Sequence, residues 1–248
     1  MDNTERFWNA SLEELKRGYV YEGSHCVCLL CGESLEKGII YPHEGTFYEA
    51  ERYMQLHIKE EHESVFSYLI GLNKKITGLT EHQNRLLQLF YEGKSDADIQ
   101  REMEIGSAST IRNHRFTLKE KERQAKVFLT LMELLKEKDE HAPTFVDVPP
   151  TAVRIDDRYN ITEEERAFVL EKYFQNGSLT TFSLKEKQKL IVLREIAKQF
   201  HSGKRYSEKE VNERLKVIYG DYVLLRRYLI EYGFLDRQAD GSEYWLKQ

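Results

Sequence analysis

Apolar residues recur at helical spacing over most of the chain. From Leu79 to Gly93 they fall on one face of a predicted helix, with Thr80 as the N-cap and Gly93 as the stop. A second helix is predicted to begin after Ser95. After the short turn 105–107 a third follows, so the pattern predicts a helix-turn-helix.

The third helix is predicted to be unusually long. No glycine or proline interrupts the chain from Ser107 to Lys138, so we expect one continuous helix or two nearly continuous ones. Its later half carries an apolar stripe, which is typical of a dimerisation face or an intramolecular packing face. The residues of this stripe are Phe116, Val127, Phe128, Leu131, Leu134 and Leu135.

The chain after residue 138 predicts four more helices and a hairpin. A proline-bearing stretch, 139–160, lacks helical periodicity, and Thr162 then opens a helix with a capping box. From Ser183 a long amphipathic helix is followed by helices capped by Ser207 and Asp221, and the chain closes with a β-hairpin. Three helices before a hairpin predict a winged helix.

The N-terminal segment predicts two short strands, 38–41 and 46–48, followed by a helix. The predicted fold class is therefore mainly α, with an N-terminal zinc-finger-like ββα module, a central helix-turn-helix and a C-terminal winged helix. The predicted domains are a module over 1–78, a helix-turn-helix with its long helix over 79–138, a linker plus one helix over 139–182, and a winged-helix-like domain over 183–248.

Charge and composition exclude some classes of protein. The net charge of the chain is −5, but the charge is unevenly distributed. Segment 1–78 is acidic, with 8 basic and 13 acidic residues, whereas segment 183–248 is basic, with 14 basic and 10 acidic residues. No apolar run approaches the roughly 18 residues of a membrane span, and no signal-peptide pattern opens the chain. Three cysteines without a secretory signal favour reduced thiols. We therefore expect a cytoplasmic protein with no membrane partner.

The cysteines and histidines of the N-terminal segment have metal-ligand spacing. Cys28 and Cys31 form a CxxC knuckle, and His57 and His62 follow on the predicted helix. The order of knuckle, hairpin and helix resembles a Cys2His2 zinc finger. The 25 residues between Cys31 and His57 are about twice the usual twelve, so the hairpin must be enlarged. The predicted cofactor is a structural zinc ion.

Three further cysteine and histidine side chains lie near the candidate ligands in the sequence. Cys26 could replace one histidine as a ligand or remain a free thiol beside the site. His25 and His43 are expected to lie in solvent or next to the ligands rather than to bind the metal.

The central segment carries a more specific match. Leu79-Thr80, Gly93-Lys-Ser95, Ile99, Ile105 and Thr110-Ile-Arg-Asn-His114 resemble the LuxR/GerE-type helix-turn-helix of bacterial transcription regulators, over residues ~79–123. The resemblance implies that a recognition helix begins near Ser107 with Ile111 in the core. It also implies groove contacts from Ser109, Thr110, Arg112, Asn113 and Arg115, and phosphate contacts from Ser107 and Lys119.

The C-terminal segment resembles a domain of unknown function in bacterial proteins described as transcription regulators. The matching residues are the run 203–212, Leu225-Arg-Arg-Tyr-Leu229 and Arg237-x3-Gly241-x2-Tyr244-Trp245. If this domain binds DNA, the expected contacts are Lys204, Arg205, Arg226, Arg227 and Arg237. Many winged helices bind protein instead, and that alternative stays open.

Together these patterns predict a homodimeric, double-stranded-DNA-binding transcription regulator with structural zinc. The alternative is a protein–protein adaptor that uses the helix-turn-helix folds as scaffolds, with the acidic N-terminal module as a docking surface. An enzyme is not expected, because four ligands close the metal site and no HExxH, Walker loop or nucleophile elbow occurs.

Overall fold

The structure is a computed structural model that describes residues 3–152 and 155–247. The chain forms two compact units. Unit 1 combines the chain up to Asn73 with the chain from Thr144 onwards, and unit 2 is Lys74–Pro143.

The described residues form helices and short strands, which come in groups along the chain. The helices are α1 Asn3–Asn9, α2 Leu12–Arg17, α3 Ala50–His62, α4 Val65–Ile70, α5 Lys74–Thr77, α6 Glu81–Tyr91, α7 Asp96–Glu102, α8 Ala108–Lys136, α9 Glu163–Tyr173, α10 Glu186–Ala197, α11 Glu208–Ile218 and α12 Tyr222–Glu231. The strands are β1 Tyr19–Glu22, β2 His25–Cys28, β3 Ser34–Glu36, β4 Ile40–His43, β5 Thr46–Glu49, β6 Phe174–Gln175, β7 Ser178–Leu179, β8 Arg205–Tyr206, β9 Leu235–Arg237 and β10 Tyr244–Leu246.

The predicted fold class, mainly α with an N-terminal zinc-finger-like ββα module, a central helix-turn-helix and a C-terminal winged helix, is wrong as a description of the strands. About 53% of the described residues are helical and 14% lie in strands, which form small separate sheets. The sheet orders are β1-β2-β3, β4-β5, β6-β7 and β8-β10-β9. The described part of the chain is therefore mostly helical, but its strands form small separate sheets that the predicted class did not include.

The N-terminal sheet explains part of this difference. β1 and β2 pair antiparallel from Tyr19 opposite Cys28 to Glu22 opposite His25, and β3 pairs with the other edge of β2. The aromatic and β-branched run of β1 favours a strand, and the two-residue Gly23-Ser24 turn closes the hairpin because Gly23 adopts a φ of 57°. The cysteines of β2 are thus strand residues as well as candidate ligands.

Both faces of this sheet are buried. Cys26 and Cys28 lie on the face that packs against Met54 and Ile58 of α3. Val27 lies on the opposite face with Phe7 of α1, next to partly buried residues of α4. The alternation follows from the two-residue period of a strand, and it fixes which side of β2 meets the helix that carries the histidines.

The C-terminal part of unit 1 has the largest core. α10 runs through its centre, and its residues Leu190–Leu193 are all buried. Tyr206 of β8 and Tyr244 of β10, which are paired in register, are each 1% exposed and close one side of this core. The segment before α9 also belongs to unit 1, since Phe145 forms a β-bridge with Thr162.

Unit 2 has a small core and one long helix. The core consists of Leu86, Leu89, Ile99, Ile105 and Ile111 from α6, α7, the following turn and the start of α8. In α8, all 29 residues of which are described, Ile111 alone is buried. Most of α8 therefore gains nothing from the core of its own unit.

Candidate metal centre and basic surfaces

The cysteine knuckle begins where β2 ends. Cys28 is the last residue of β2, and its backbone N–H donates to the carbonyl of Glu33 at 2.8 Å. Gly32 donates to the carbonyl of Cys28 at 2.8 Å and adopts a φ of 77°, a left-handed geometry that glycine accepts without strain. The turn directs Cys31 to the same side as Cys28.

The two histidines lie in the second half of α3. Cys31 Sγ lies 3.1 Å from His57 Nε2, and Cys28 Sγ lies 3.8 Å from His62 Nε2. One ligand atom from each of the four side chains lies within 4.8 Å of every other. The four residues predicted from spacing are therefore brought together at a single point.

The distances in this group fit a metal ion. Zinc bonds of ≈ 2.3 Å to sulfur and ≈ 2.0 Å to nitrogen in a tetrahedron place sulfur and nitrogen about 3.5 Å apart. The two sulfur–nitrogen separations in the structure, 3.1 and 3.8 Å, lie on either side of that value. Cys28 is fully buried, whereas the other three side chains are partly exposed. The group can hold a metal ion with four protein ligands.

The electrostatics of the group already favour a thiolate. A hydrogen bond from the Cys31 thiol, assisted by His57 and His62, lowers the pKa of Cys28. The same hydrogen bond raises the pKa of Cys31, because only one of the two neighbouring sulfurs readily carries a charge. Burial opposes protonation of His57, but its interaction with Cys28 raises the pKa of His57 overall. A bound cation would stabilise both sulfurs as thiolates.

The three neighbouring candidates lie outside the group. Cys26 is fully buried on the α3 side of the sheet, and burial raises the pKa of its thiol to about 11. His43 Nε2 lies 2.9 Å from a carboxylate oxygen of Glu60, and His25 is exposed, with its Nδ1 3.2 Å from the hydroxyl of Ser24.

Two residues that sequence reasoning missed support the metal group. Tyr68 of α4 packs its ring against His62, with centroids 5.9 Å apart. Ser202 donates a hydrogen bond to the carbonyl of Cys31 from 171 positions away. A cavity of about 570 Å³ beside the group is lined by Cys31, His57, Tyr68, Ser202, Arg205 and Trp245, among others. No local pattern could have revealed the contact of Ser202, which is 171 positions from Cys31.

The central basic residues occupy the start of α8. Ser107 caps the helix, since its hydroxyl accepts from the N–H of Thr110 at 3.3 Å. The polar side chains of Ser109, Thr110, Arg112 and Asn113, on the first two turns, are exposed to solvent. Arg115 is engaged within unit 2, because it donates to Asp96 at 2.8 Å and lies over the Phe90 ring at 3.7 Å.

Lys119 lies farther along the same helix and pairs with Glu122 at 2.5 Å. An exposed pair of this kind contributes little to stability, so the ammonium can exchange its partner for a phosphate. Among the described residues, Arg112 forms no ion pair.

The candidate DNA-contacting residues of the C-terminal segment differ in how far their side chains are held by other residues. Arg226 is held by Glu208 and Asn212, each at 2.6 Å, and its side chain is 17% exposed. Arg205 stacks over Trp245 at 3.9 Å. The remaining candidates, Lys204, Arg227 and Arg237, are exposed. The structure thus assigns Arg226 an internal role.

Arg226 and Arg227 provide a matched test of that role. We expect Arg226→Ala to lower the Tm of unit 1 by a few degrees and Arg227→Ala to leave it unchanged. Arg226 lowers the pKa of Glu208 from its ordinary 4.5, so its contribution is present at neutral pH. It is lost as the pH falls through that lowered folded-state pKa. Thermal unfolding at pH 7 and pH 3 checks this, and an equal Tm for both variants at pH 7 would contradict it.

No helix among the described residues combines the length and apolar character needed to cross a membrane. Among protein families, residues 178–246 match DUF2087, an uncharacterized protein conserved in bacteria. This match confirms the predicted resemblance of the C-terminal segment to a bacterial domain of unknown function, whereas the link to transcription regulators stays a prediction. The LuxR/GerE-type resemblance stays a prediction. No curated protein and no solved structure matches the chain. Over residues 178–246 this chain is therefore similar to a conserved bacterial family whose activity is unassigned.

Proposed function

We propose that this protein is a bacterial DNA-binding transcription regulator that acts as a homodimer and carries a structural zinc ion. The observation that carries the proposal is the start of α8. Ile111 anchors the helix in the core of unit 2, while Ser109, Arg112 and Asn113 extend into solvent from its first two turns. A helix fixed at one apolar residue and polar on its outer face can place side chains in a major groove.

Charge along α8 supports this assignment. Residues 112–126 contain six basic and two acidic side chains, although the whole chain is net negative. The N–H groups of the first turn of α8 add a partial positive charge near Ser107. Phosphate contacts to this region would supply affinity, and contacts from Arg112 and Asn113 to base edges would supply specificity.

Substituting Arg112 and Asn113 tests the proposal directly. We expect the native protein to enrich a discrete motif from a library of random duplexes, and Arg112→Ala/Asn113→Ala to lose affinity for it by about 10- to 100-fold or more. Both residues are exposed, so the fold should be unaffected.

Arg123→Ala, on the same helix, is the matched control. It removes a basic residue that is paired with Glu120 and should reduce affinity only slightly, independently of sequence. Failure of the native protein to enrich any motif at low salt would overturn the DNA-binding proposal.

We further propose that the metal is zinc and that its role is structural. Two thiolates and two imidazoles are the usual donor set of closed zinc sites. Four protein ligands leave no coordination position for a reacting water, so the ion would stabilise the N-terminal part of unit 1 rather than catalyse a reaction.

An adaptor function is the second candidate. It is favoured by the large apolar side chains exposed on α8 and by the acidic segment 1–78. Salt dependence separates the two functions: a regulator loses DNA affinity steeply as salt rises, whereas an adaptor binds DNA weakly and with little salt dependence.

A further inference from the structure

The later half of α8 exposes a large apolar surface. Seven of its side chains are between 39% and 63% exposed, and we call this set the α8 stripe. Its members are Val127, Phe128, Leu129, Leu131, Met132, Leu134 and Leu135. Such a continuous apolar patch is rare on a monomer and marks an interaction surface.

The stripe continues a seam that begins in the core of unit 2. Ile111, Leu118, Ala125 and Met132 recur every seven residues, and Phe128 and Leu135 follow three residues after the last two. This is the a/d spacing of two helices packed together. Ile111 finds its partners within unit 2, whereas the later positions of the seam meet solvent.

A groove lies beside the middle of this seam. It has a volume of about 870 Å³ and is bounded by α6 and the residues before it on one side, and by α8 on the other. The apolar side chains of its lining are Leu79, Leu87, Phe90, Leu118, Ala125 and Phe128. The groove therefore receives apolar side chains over the part of α8 that precedes the stripe.

The two halves of this region carry opposite charge. Residues 112–126 have six basic and two acidic side chains, net +4, whereas residues 133–140 have two basic and four acidic ones, net −2. Two parallel copies of α8 would place like charges side by side. Two antiparallel copies would place the basic half of each beside the acidic end of the other.

We propose that the α8 stripe and the groove are filled by a second copy of this chain, with the two α8 helices antiparallel. The stripe of each copy packs over the groove of the other, with the crossing centred near residue 127, midway between groove and stripe. The proposal rests on the homodimer of the proposed function and assigns its interface. A two-fold axis at that point makes the interface self-complementary.

Cysteine cross-linking determines the orientation. In an antiparallel pair centred near 127, the two thiols of Ala125→Cys lie about 6 Å apart along the helix axis, and those of Leu135→Cys lie about 24 Å apart. A short bis-maleimide should therefore link the Ala125→Cys protein into covalent dimers and leave the Leu135→Cys protein monomeric on a denaturing gel. The metal-loaded native protein, which retains its three cysteines, is the background control.

Each outcome has a definite meaning. Cross-linking of both variants indicates parallel helices and overturns the proposal. Cross-linking of neither variant, with a dimer present in sedimentation, places the interface elsewhere; a monomer in sedimentation also removes the homodimer from the proposed function. An Ala125→Cys dimer that enriches no DNA motif leaves this proposal standing and overturns DNA binding alone.

Discussion

Replacing Cys28 with serine is expected to abolish metal binding and to unfold the N-terminal part of unit 1. Cys28 is fully buried, and its Sγ is one of the four grouped ligand atoms. Structural zinc sites contribute about 10–16 kcal/mol of apparent binding free energy, as much as or more than the ~5–15 kcal/mol stability of a whole domain. The metal-to-protein ratio should fall from one to near zero, with loss of far-UV signal from α3 and the β1-β2-β3 sheet.

Cys26→Ala is the matched control for this prediction. Cys26 is equally buried and lies two residues away on the same face of β2, but it is outside the ligand group. The control should keep one metal ion per chain and lose only the modest stability of a small cavity. A Cys28→Ser protein that kept a full equivalent of metal and its native Tm would contradict the assignment.

Local signals in the sequence predicted the candidate ligands and most helix starts. The capping residues Thr80, Ser95, Thr162, Ser207 and Asp221 each accept a backbone hydrogen bond at the predicted position. These features depend on side chains within three residues of one another, so a single stretch of sequence contains the information. The CxxC and HxxxxH spacings are local in the same sense.

The missed elements depend on distant partners. β1, β2 and β3 have three or four residues each, too few to establish a period, and the β1-β2-β3 sheet is buried on both faces. Polar and apolar positions therefore do not alternate clearly along them. The contact of Ser202 with the knuckle and the internal ion pairing of Arg226 also depend on residues brought together by folding.

The apolar stripe of α8 shows a second limit of prediction from sequence. Helical spacing predicted the stripe but left open whether it packs within the chain or against a partner. In the structure every residue of 121–136 is exposed, so packing within unit 2 does not account for the stripe. Periodicity identifies an apolar face, and only the fold shows whether that face is covered.

Phe128→Glu is expected to separate the dimer into monomers. Phe128 is 62% exposed in a single chain and lies next to the proposed crossing point. A dimer would therefore bury two Phe128 side chains, one from each copy. Burying one such side chain contributes about 1.5–3 kcal/mol. Losing both copies, and placing two carboxylates in the interface, should raise the dimer Kd by at least about 100-fold. The Tm of the monomer should not fall, because no core contact is removed.

Thr130→Glu is the matched control, because it adds the same charge two residues away at an exposed position outside the stripe. It should leave the sedimentation coefficient unchanged.

The two variants also test whether DNA binding depends on dimerisation. A regulator that binds two half-sites as a dimer loses affinity for the paired site with Phe128→Glu but not with Thr130→Glu. If both variants sediment as the native dimer does, α8 is not the interface. If Phe128→Glu is monomeric and still binds the paired site at native affinity, dimerisation through α8 is real but independent of DNA recognition.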